Sequence, residues 1–494
     1  MKRLLRIFII FLFIFLLGLW YADATSPYGK FSIVKPFFTT KILPNGQIQL
    51  HQERPIYFVS TPLIQTVTYQ QRAFRTLENA RFSEKPFFGT ENQIIADIHR
   101  QRFDITKPYV ISGAHFAEFY VRNFGMFYSA MLDPRFALSQ EDWQLRQRVT
   151  LQTLATHLEL LRQSGKEYTT FVPMWSNVFT GANWATDPSD SLFAVYYTLS
   201  ATIHNHFISD TFPANISAVY KLQTQDAGNK LLYMYAPVLS NVTNAYLNNS
   251  IDPHTGIIKK SITLSSARDG IARESSFYDN VIAWSTAKMA TDLGVQVTCP
   301  TILNNGHNGK CDFTTWKQKI IATFWDDTTG IFIDDLSKDS IAHHIYSGDA
   351  FIVTSTRFLD LTEEDDRQKL EREIAYVQKN RLDSPFPLRY AIHDQPEKLY
   401  FAVRYFAPSY MGESIWSHWG IEYAKSLLLL SQYDPTYHAQ AKMVIDAYQK
   451  NIVRFGGYPE LYDKYGNIFQ TPFYKSILHT GWVINYEQAK MMLQ

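Results

Sequence analysis

The sequence predicts an all-α body of antiparallel helical hairpins behind a short β-like N-terminal arm. Three observations carry this reading. From about residue 91 onward apolar residues recur at helical spacing, as in Leu151, Leu154, Leu158 and Leu161. Strand signals between these segments are few and short, and the connections are modest, which is the pattern of αα-hairpins. Asp327 to Gly330 and Asp463 to Gly466 repeat an Asp-x-x-Gly turn, and Asp252 to Gly256 the same turn with one more residue, each shortly after a long helix, where Asp starts the turn and Gly supplies a positive φ.

The first 24 residues form a separate unit. Lys2, Arg3 and Arg6 precede Ile7 to Tyr21, a run of 15 uncharged residues, and Ala22-Asp23-Ala24 has the small-x-small spacing of a cleavage site. The run is short for a membrane span of about 20 residues. It fits a signal peptide, or an uncleaved anchor once Leu4 and Leu5 are added. Export is expected, with the body outside the cytoplasm, extracellular, periplasmic or anchored; the membrane is a partner only through this segment.

Residues 25–90 read as an extended arm. FSIV (32–35), IQLH (48–51) and IYFVS (56–60) are short β-like runs broken by Pro36, Pro44, Gly46 and Pro55. The body, 91–494, is helical. Phe116, Phe119, Tyr120, Phe127 and Leu132 lie on one amphipathic segment, and further helices are expected near 190–207, 216–248, 279–294, 312–325, 348–360, 364–380, 414–432, 436–454 and 478–493.

Composition excludes some functions. With 47 basic and 46 acidic residues the net charge is +1, without the basic excess of a nucleic-acid binder. The 35 Phe, 30 Tyr and 10 Trp suit core packing and also the apolar faces of sugars. Cys299 and Cys311 are the only cysteines, and in an oxidising compartment they read as one disulfide closing a loop. Asn215, Asn241 and Asn248 begin N-x-S/T triplets. There is no Gly-x-Ser-x-Gly, P-loop, Rossmann glycine set or His-Glu-x-x-His. His343 and His344 are adjacent and would not share a helix face, so no metal site is expected.

Five segments concentrate polar and aromatic chemistry. The first, 113–127, sets Arg122 beside Asn123. The second, 175–193, carries Trp175, Trp184, Asp187 and Asp190 ahead of a helix, with either aspartate able to cap it. The third, 268–284, contains Arg268, Asp269, Arg273, Glu274, Tyr278, Asp279 and Asn280. The fourth, 410–419, holds Glu413, Trp416, His418 and Trp419. The fifth joins Glu460 and the turn ending at Gly466 to a last helix with His479, Trp482 and Glu487.

Over roughly 100–494 these segments resemble those of the six-hairpin glycosidases: glucoamylases, trehalases, and the processing α-glucosidase and mannosylglycerate hydrolase group. The resemblance implies an (α/α)6 toroid of helical hairpins. Arg122 matches the arginine of the W-x-R-D segment, while Asn123 replaces its aspartate. Trp175, Trp184 and Asp187 correspond to the substrate funnel. The third segment is similar to the loop that carries the general acid, which is then Asp279, favoured by the Asp-Asn pair, or Glu274. Trp416 corresponds to a stacking platform and Glu413 to a hydroxyl acceptor. Glu460, before a Gly turn and a Trp-containing final helix, matches the general base.

The implied function is an inverting glycoside hydrolase acting on an extracytoplasmic oligosaccharide or glycan. One carboxyl protonates the leaving oxygen and the other, ionised, activates water, the pair standing about 6.5–9.5 Å apart. The sugar would be held by Arg122, Asn123, Trp175, Trp184, Asp187, Glu413, Trp416 and Trp482. No cofactor is expected, and a monomer is. Two alternatives remain open: a polysaccharide lyase of the toroid type, drafting Asn123, Tyr278 and His479, or a non-catalytic glycan-binding protein.

Overall fold

The computed structural model describes all residues except 1, 28, 82–83, 114–117, 123–139, 184–185, 205–223, 269 and 305–309. The arm begins with α1 (Lys2–Ala24), whose Arg6–Ala24 portion is 19 residues of mean hydropathy 2.3, largely unburied. A hairpin of β1 (Phe38–Ile42) and β2 (Ile48–Gln52) follows, closed by Gly46 at φ 82°, and β3 (Tyr57–Phe58) leads on.

The arm is not β-like throughout: Pro62–Arg81 is a 20-residue helix, α2. Its apolar periodicity is weak because much of its buried face is polar. Thr68, Gln71, Arg72, Arg75 and Asn79 are all buried and bonded to the body and to α1.

The body opens with α3 (Glu91–Arg102), whose N-terminus is fastened by a Thr90–Gln93 capping box. Then β4 (Phe119–Tyr120), β5 (Thr170–Pro173) and β6 (Val178–Ala182) join β3 in one four-stranded sheet, order β3-β6-β5-β4. Phe119 and Tyr120 therefore pair with β5 instead of lying on a helix, and helical backbone starts only at Val121. Between these strands runs α4 (Gln140–Ser164), where Leu151, Leu154, Leu158 and Leu161 are all fully buried.

The remaining helices are α5 (Ser191–His204), α6 (Gln225–Ser250), α7 (Phe277–Asp292), α8 (Phe313–Phe324), α9 (Lys338–His343), α10 (Ile352–Thr356), α11 (Glu364–Lys379), α12 (Phe401–Phe406), α13 (Ser417–Leu430), α14 (Thr436–Phe455) and α15 (Val483–Met492); all but the short α9 and α12 fall where the sequence predicts a helix. Two-residue ladders punctuate them: β7 (Trp325–Asp326) with β8 (Ile331–Phe332), and β9 (Ile415–Trp416) with β10 (Leu461–Tyr462).

Burial sorts the long helices into two layers. In α7 and α13 nearly every side chain is buried around the whole circumference, as for helices enclosed on all sides. In α8 only Trp316, Ile320 and Phe324 are buried, and in α14 only Ala441, Val444, Ile445, Tyr448 and Ile452, each set a single stripe. The inner helices meet in sequence, α5 on α7, α7 on α10, α10 on α13 and α13 on α15. Among the described residues, outer helices α4, α6, α8, α11 and α14 alternate in sequence with the inner helices α5, α7, α10, α13 and α15, and α3 lies on the outer layer. The ring closes where α3 packs on α14 and the Gly481 amide donates to the Ser112 carbonyl at 3.2 Å. The chain is an (α/α)6 toroid.

The repeated turns are real joints. Gly256, Gly330 and Gly466 have φ of 79°, 77° and 80°, and their amides donate to Asp252, Asp326 and Asp463 carbonyls. Cys299 and Cys311 are bonded, with Cα atoms 5.2 Å apart.

Candidate active site

A cavity of about 820 Å³ opens among the inner ends of the ring. Among the described residues, its floor is Arg122, Trp416, His418, Trp419, Glu460 and Trp482, with Glu118 and Tyr120 beside them. The loop before α7 reaches the wall through Ala267 and Gly270. The rest of the wall comes from α2 (Tyr69, Arg72, Ala73, Thr76, Leu77), from Tyr400 and α12, and from Phe473 and Tyr474.

Glu460 is placed by backbone pairing. Leu461 faces Trp416 across the β9–β10 ladder, the Ser417 amide donates to the Glu460 carbonyl at 3.1 Å, and the Glu460 amide donates to Ile477 at 2.9 Å. Its carboxylate accepts from the Tyr474 hydroxyl at 2.6 Å on Oε2 and from the Tyr410 hydroxyl at 3.4 Å on Oε1. Burial, then the neighbouring Glu460 charge, holds the Tyr474 phenol well above its ordinary pKa, so it stays a donor.

Trp416 and Trp482 stack with centroids 6.1 Å apart and planes 27° apart. The Trp416 indole N–H donates to the Tyr410 carbonyl at 2.9 Å, which locks the ring. Burial keeps His418 neutral by lowering its pKa well below the usual value, with Lys425 adding to the effect.

Arg122 pairs through Nε with Asp190 at 3.3 Å and donates to the Ser266 carbonyl and the Ser265 hydroxyl. Asp190 also accepts from the Tyr278 hydroxyl at 3.1 Å. Burial raises the Asp190 pKa against the pull of Arg122. Behind this layer Arg268 and Arg273 bind Asp334 at 2.7 and 2.9 Å, and Arg273 binds Asp349 at 2.8 Å. Arg273 also donates to the Ser266 hydroxyl, so this buried ionic network and the Arg122 guanidinium share one residue.

No family profile matches this sequence, and no curated protein matches it. Solved structures do. A GH63 mannosylglycerate hydrolase from Thermus thermophilus, in complex with glucose, is 10% identical with a TM-score of 0.46, over 82% of this chain and 100% of that one. A glucoamylase from Saccharomycopsis fibuligera is 10% identical with a TM-score of 0.48, over 78% of this chain and 89% of that one. A cellobiose 2-epimerase from Bacillus thermoamylovorans is 10% identical with a TM-score of 0.46, over 81% of this chain and 100% of that one. These structures belong to the (α/α)6 glycosidase-like superfamily that the sequence motifs resemble.

The structure brings four expected residues, Arg122, Trp416, Glu460 and Trp482, into one cavity. Asp279 lies one layer behind. Ser276, not Asp279, is the N-cap of α7: its hydroxyl accepts from the Asp279 amide at 3.1 Å and donates to the Asp279 carboxylate at 2.6 Å. Burial raises the Asp279 pKa to about 6, opposed by Arg273 and Ser276.

Glu274 is exposed, does not line the cavity, and is anchored through its amide to Asp335. Trp175 is 52% exposed in the β5–β6 connection. Asp187 is exposed, accepts from Asn183 at 2.9 Å and pairs with Lys166 at 3.4 Å. Glu413 pairs with Lys464 at 2.8 Å instead of facing the cavity. Asn123 and Trp184 lie outside the described residues, as do Asn215 and Asp269.

Of the residues considered for a lyase, Tyr278 is engaged by Asp190, and His479 stacks on Phe87 at 4.0 Å, neither lining the cavity. His343 and His344 pair with different aspartates, Asp339 and Asp326. Sequence reading missed Glu118, the α2 wall, the α12 wall, Tyr410 and Tyr474 as site residues. Glu118 and Tyr410 stand inside the quoted segments; nothing local marked the others.

Proposed function

We propose that this protein is a glycoside hydrolase of the inverting kind, acting on an oligosaccharide or glycan outside the cytoplasm. The observation that carries the reading is Glu460, a carboxylate held by two tyrosine hydroxyls in the same cavity as Arg122 and the Trp416–Trp482 pair. Hydroxyl donors favour its ionised form, which is what a base needs. Arg122 presents fixed donors to sugar hydroxyls, and the indoles offer an apolar face to the ring.

The acid is assigned to Asp279, with Glu274 as its rival. A carboxyl of pKa about 6 is half protonated near the working pH of such an acid. Neither carboxyl lines the cavity: Asp279 sits buried in the first turn of α7 and Glu274 is exposed on the loop before it, so protonating a glycosidic oxygen requires that turn or that loop to shift and bring one of them inward. In the reaction the acid gives its proton to the leaving oxygen, and Glu460 takes one from the attacking water on the opposite face. The N-terminal helix serves export, as anchor or cleaved signal, and the protein works as a monomer.

The test is release of reducing sugar from a panel of oligosaccharides, followed by proton NMR of the first anomer formed. Glu460→Gln should abolish release while the protein still folds. Asp279→Asn should lose activity on ordinary glycosides yet retain it on glycosyl fluorides, whose leaving group needs no proton. If Glu274→Gln behaves that way instead, the acid is Glu274. Near-normal release by Glu460→Gln, or an unsaturated-uronate absorbance in place of release, would remove the hydrolase reading.

A further inference from the structure

The cavity has two chemically different ends. Its floor is charged and indole-rich, as described above. Its outer wall is built from Ala73, Thr76 and Leu77 of α2 and from α12, a helix that buries none of its side chains. Phe401 is 74% and Phe406 45% exposed, and Phe406 meets Phe473, itself 44% exposed, at a centroid distance of 5.1 Å. Aromatic surface left bare around a cavity mouth marks a place where something apolar binds. One pyranose ring needs only a part of the 820 Å³.

The same wall is tied to the N-terminal helix. Phe74 of α2 packs on Phe15 of α1 at 5.5 Å, and Gly18 lets the two helices close on one another. Arg75 spans the junction, donating to the Ala22 carbonyl at 3.2 Å and to Glu118 in the cavity at 3.0 Å. One side chain therefore separates the last turn of an apolar, membrane-length helix from the polar end of the cavity.

We infer that the substrate is a glycolipid: a sugar whose long apolar aglycone leaves the bilayer beside α1 and lies against α2 and α12 while the sugar enters the floor. Its sugar end rests on the glycosidase reading above; its lipid end does not. The occupant is committed by continuity: α1 would place the mouth where a chain emerges from the membrane, and the mouth is lined with groups that shed water on meeting that chain.

The test uses the full chain in phosphatidylcholine nanodiscs and octyl glucoside and mannoside probes carrying a diazirine in the alkyl chain. Photolabelling is expected within 62–81 and 400–407, suppressed at least fivefold by unlabelled octyl glycoside but not by the methyl glycoside. Phe401→Ser with Phe406→Ser should cut that labelling at least fivefold without changing the unfolding temperature. Labelling confined to α1 or scattered over the outer helices, or equal competition by methyl glycoside, would overturn the inference. Labelling at α2 and α12 without sugar release by the unaltered protein would uphold the lipid site and remove the hydrolase; release from methyl and octyl glycosides at equal rates would do the reverse.

Discussion

The hydroxyl of Tyr474 lies 2.6 Å from Oε2 of Glu460 and donates to it. A hydrogen bond to a charged acceptor contributes about 1.5–3 kcal/mol. Removing it leaves the carboxylate without that donor. Tyr474→Phe should therefore lower kcat/KM by roughly ten- to a hundredfold. Tyr410→Phe, at 3.4 Å, should do less. An unchanged kcat/KM in Tyr474→Phe would separate this contact from catalysis.

Asp279 makes a second prediction that needs no substrate. Its folded pKa is about 6 against an ordinary 3.8, so the folded protein holds the proton more tightly than the unfolded chain. The associated stability is fully present below pH 3.8 and is lost as pH rises through 6. A shift of that size corresponds to roughly 3 kcal/mol. Asp279→Asn should flatten the dependence of unfolding free energy on pH between about 4 and 6, measured by urea denaturation. An unaltered slope would mean another group carries it.

Why was the ring readable and the arm helix not? Outer helices such as α14 bury one stripe, so Ala441, Val444, Ile445, Tyr448 and Ile452 print the helical period directly. Inner helices such as α7 and α13 bury polar residues along with apolar ones, so they show little single-face periodicity and are recognised by the turns and outer helices around them. Helix α2 buries Gln71, Arg72, Arg75 and Asn79, offsetting their desolvation with hydrogen bonds and ion pairs that exist only in the fold. Hydrophobic patterning is blind to such a face.

The site divides in the same way. Trp416 and Trp482 stand at the N-termini of inner helices α13 and α15, and Glu460 lies in the connection between α14 and α15, where motif and geometry coincide. Asp187 and Glu413 stand in equally polar segments, but Lys166 and Lys464 engage them at the surface. Nothing in one sequence distinguishes a carboxylate facing a lysine from one facing a sugar. Tyr474 reaches Glu460 through the turn that brings Gln470 opposite Lys475, a bridge formed by the backbone.

The bond from Arg75 to Glu118 joins arm to toroid. Both side chains are nearly fully buried, and Arg72 approaches the same carboxylate at 3.6 Å. Glu118→Gln leaves two buried guanidinium groups facing a neutral amide. Loss of one partner of a buried pair costs about 3–5 kcal/mol. The variant should lose stability in that range, and limited proteolysis should cut the arm first. Adding Arg75→Met should recover part of the loss, because the unpaired charge is then gone.

Glu373 of α11 offers the sharpest dependence on pH. It is 2% exposed, and among the described residues its Oε2 accepts the Phe332 amide, at 3.2 Å. Burial raises its pKa from 4.5 to about 8, against the pull of that amide and with the help of the Asp349 charge. At neutral pH it is an acid that keeps its proton. Because the folded value lies above the unfolded one, its stabilising effect is complete below pH 4.5 and drains away as pH rises through 8. A shift of that size amounts to roughly 5 kcal/mol. Glu373→Gln preserves shape and hydrogen bonding without a proton to lose. It should match the parent protein near pH 4 and exceed its stability increasingly toward pH 8. Parallel stability curves for the two proteins over that interval would show that Glu373 ionises normally and that its site is wetter than its burial implies.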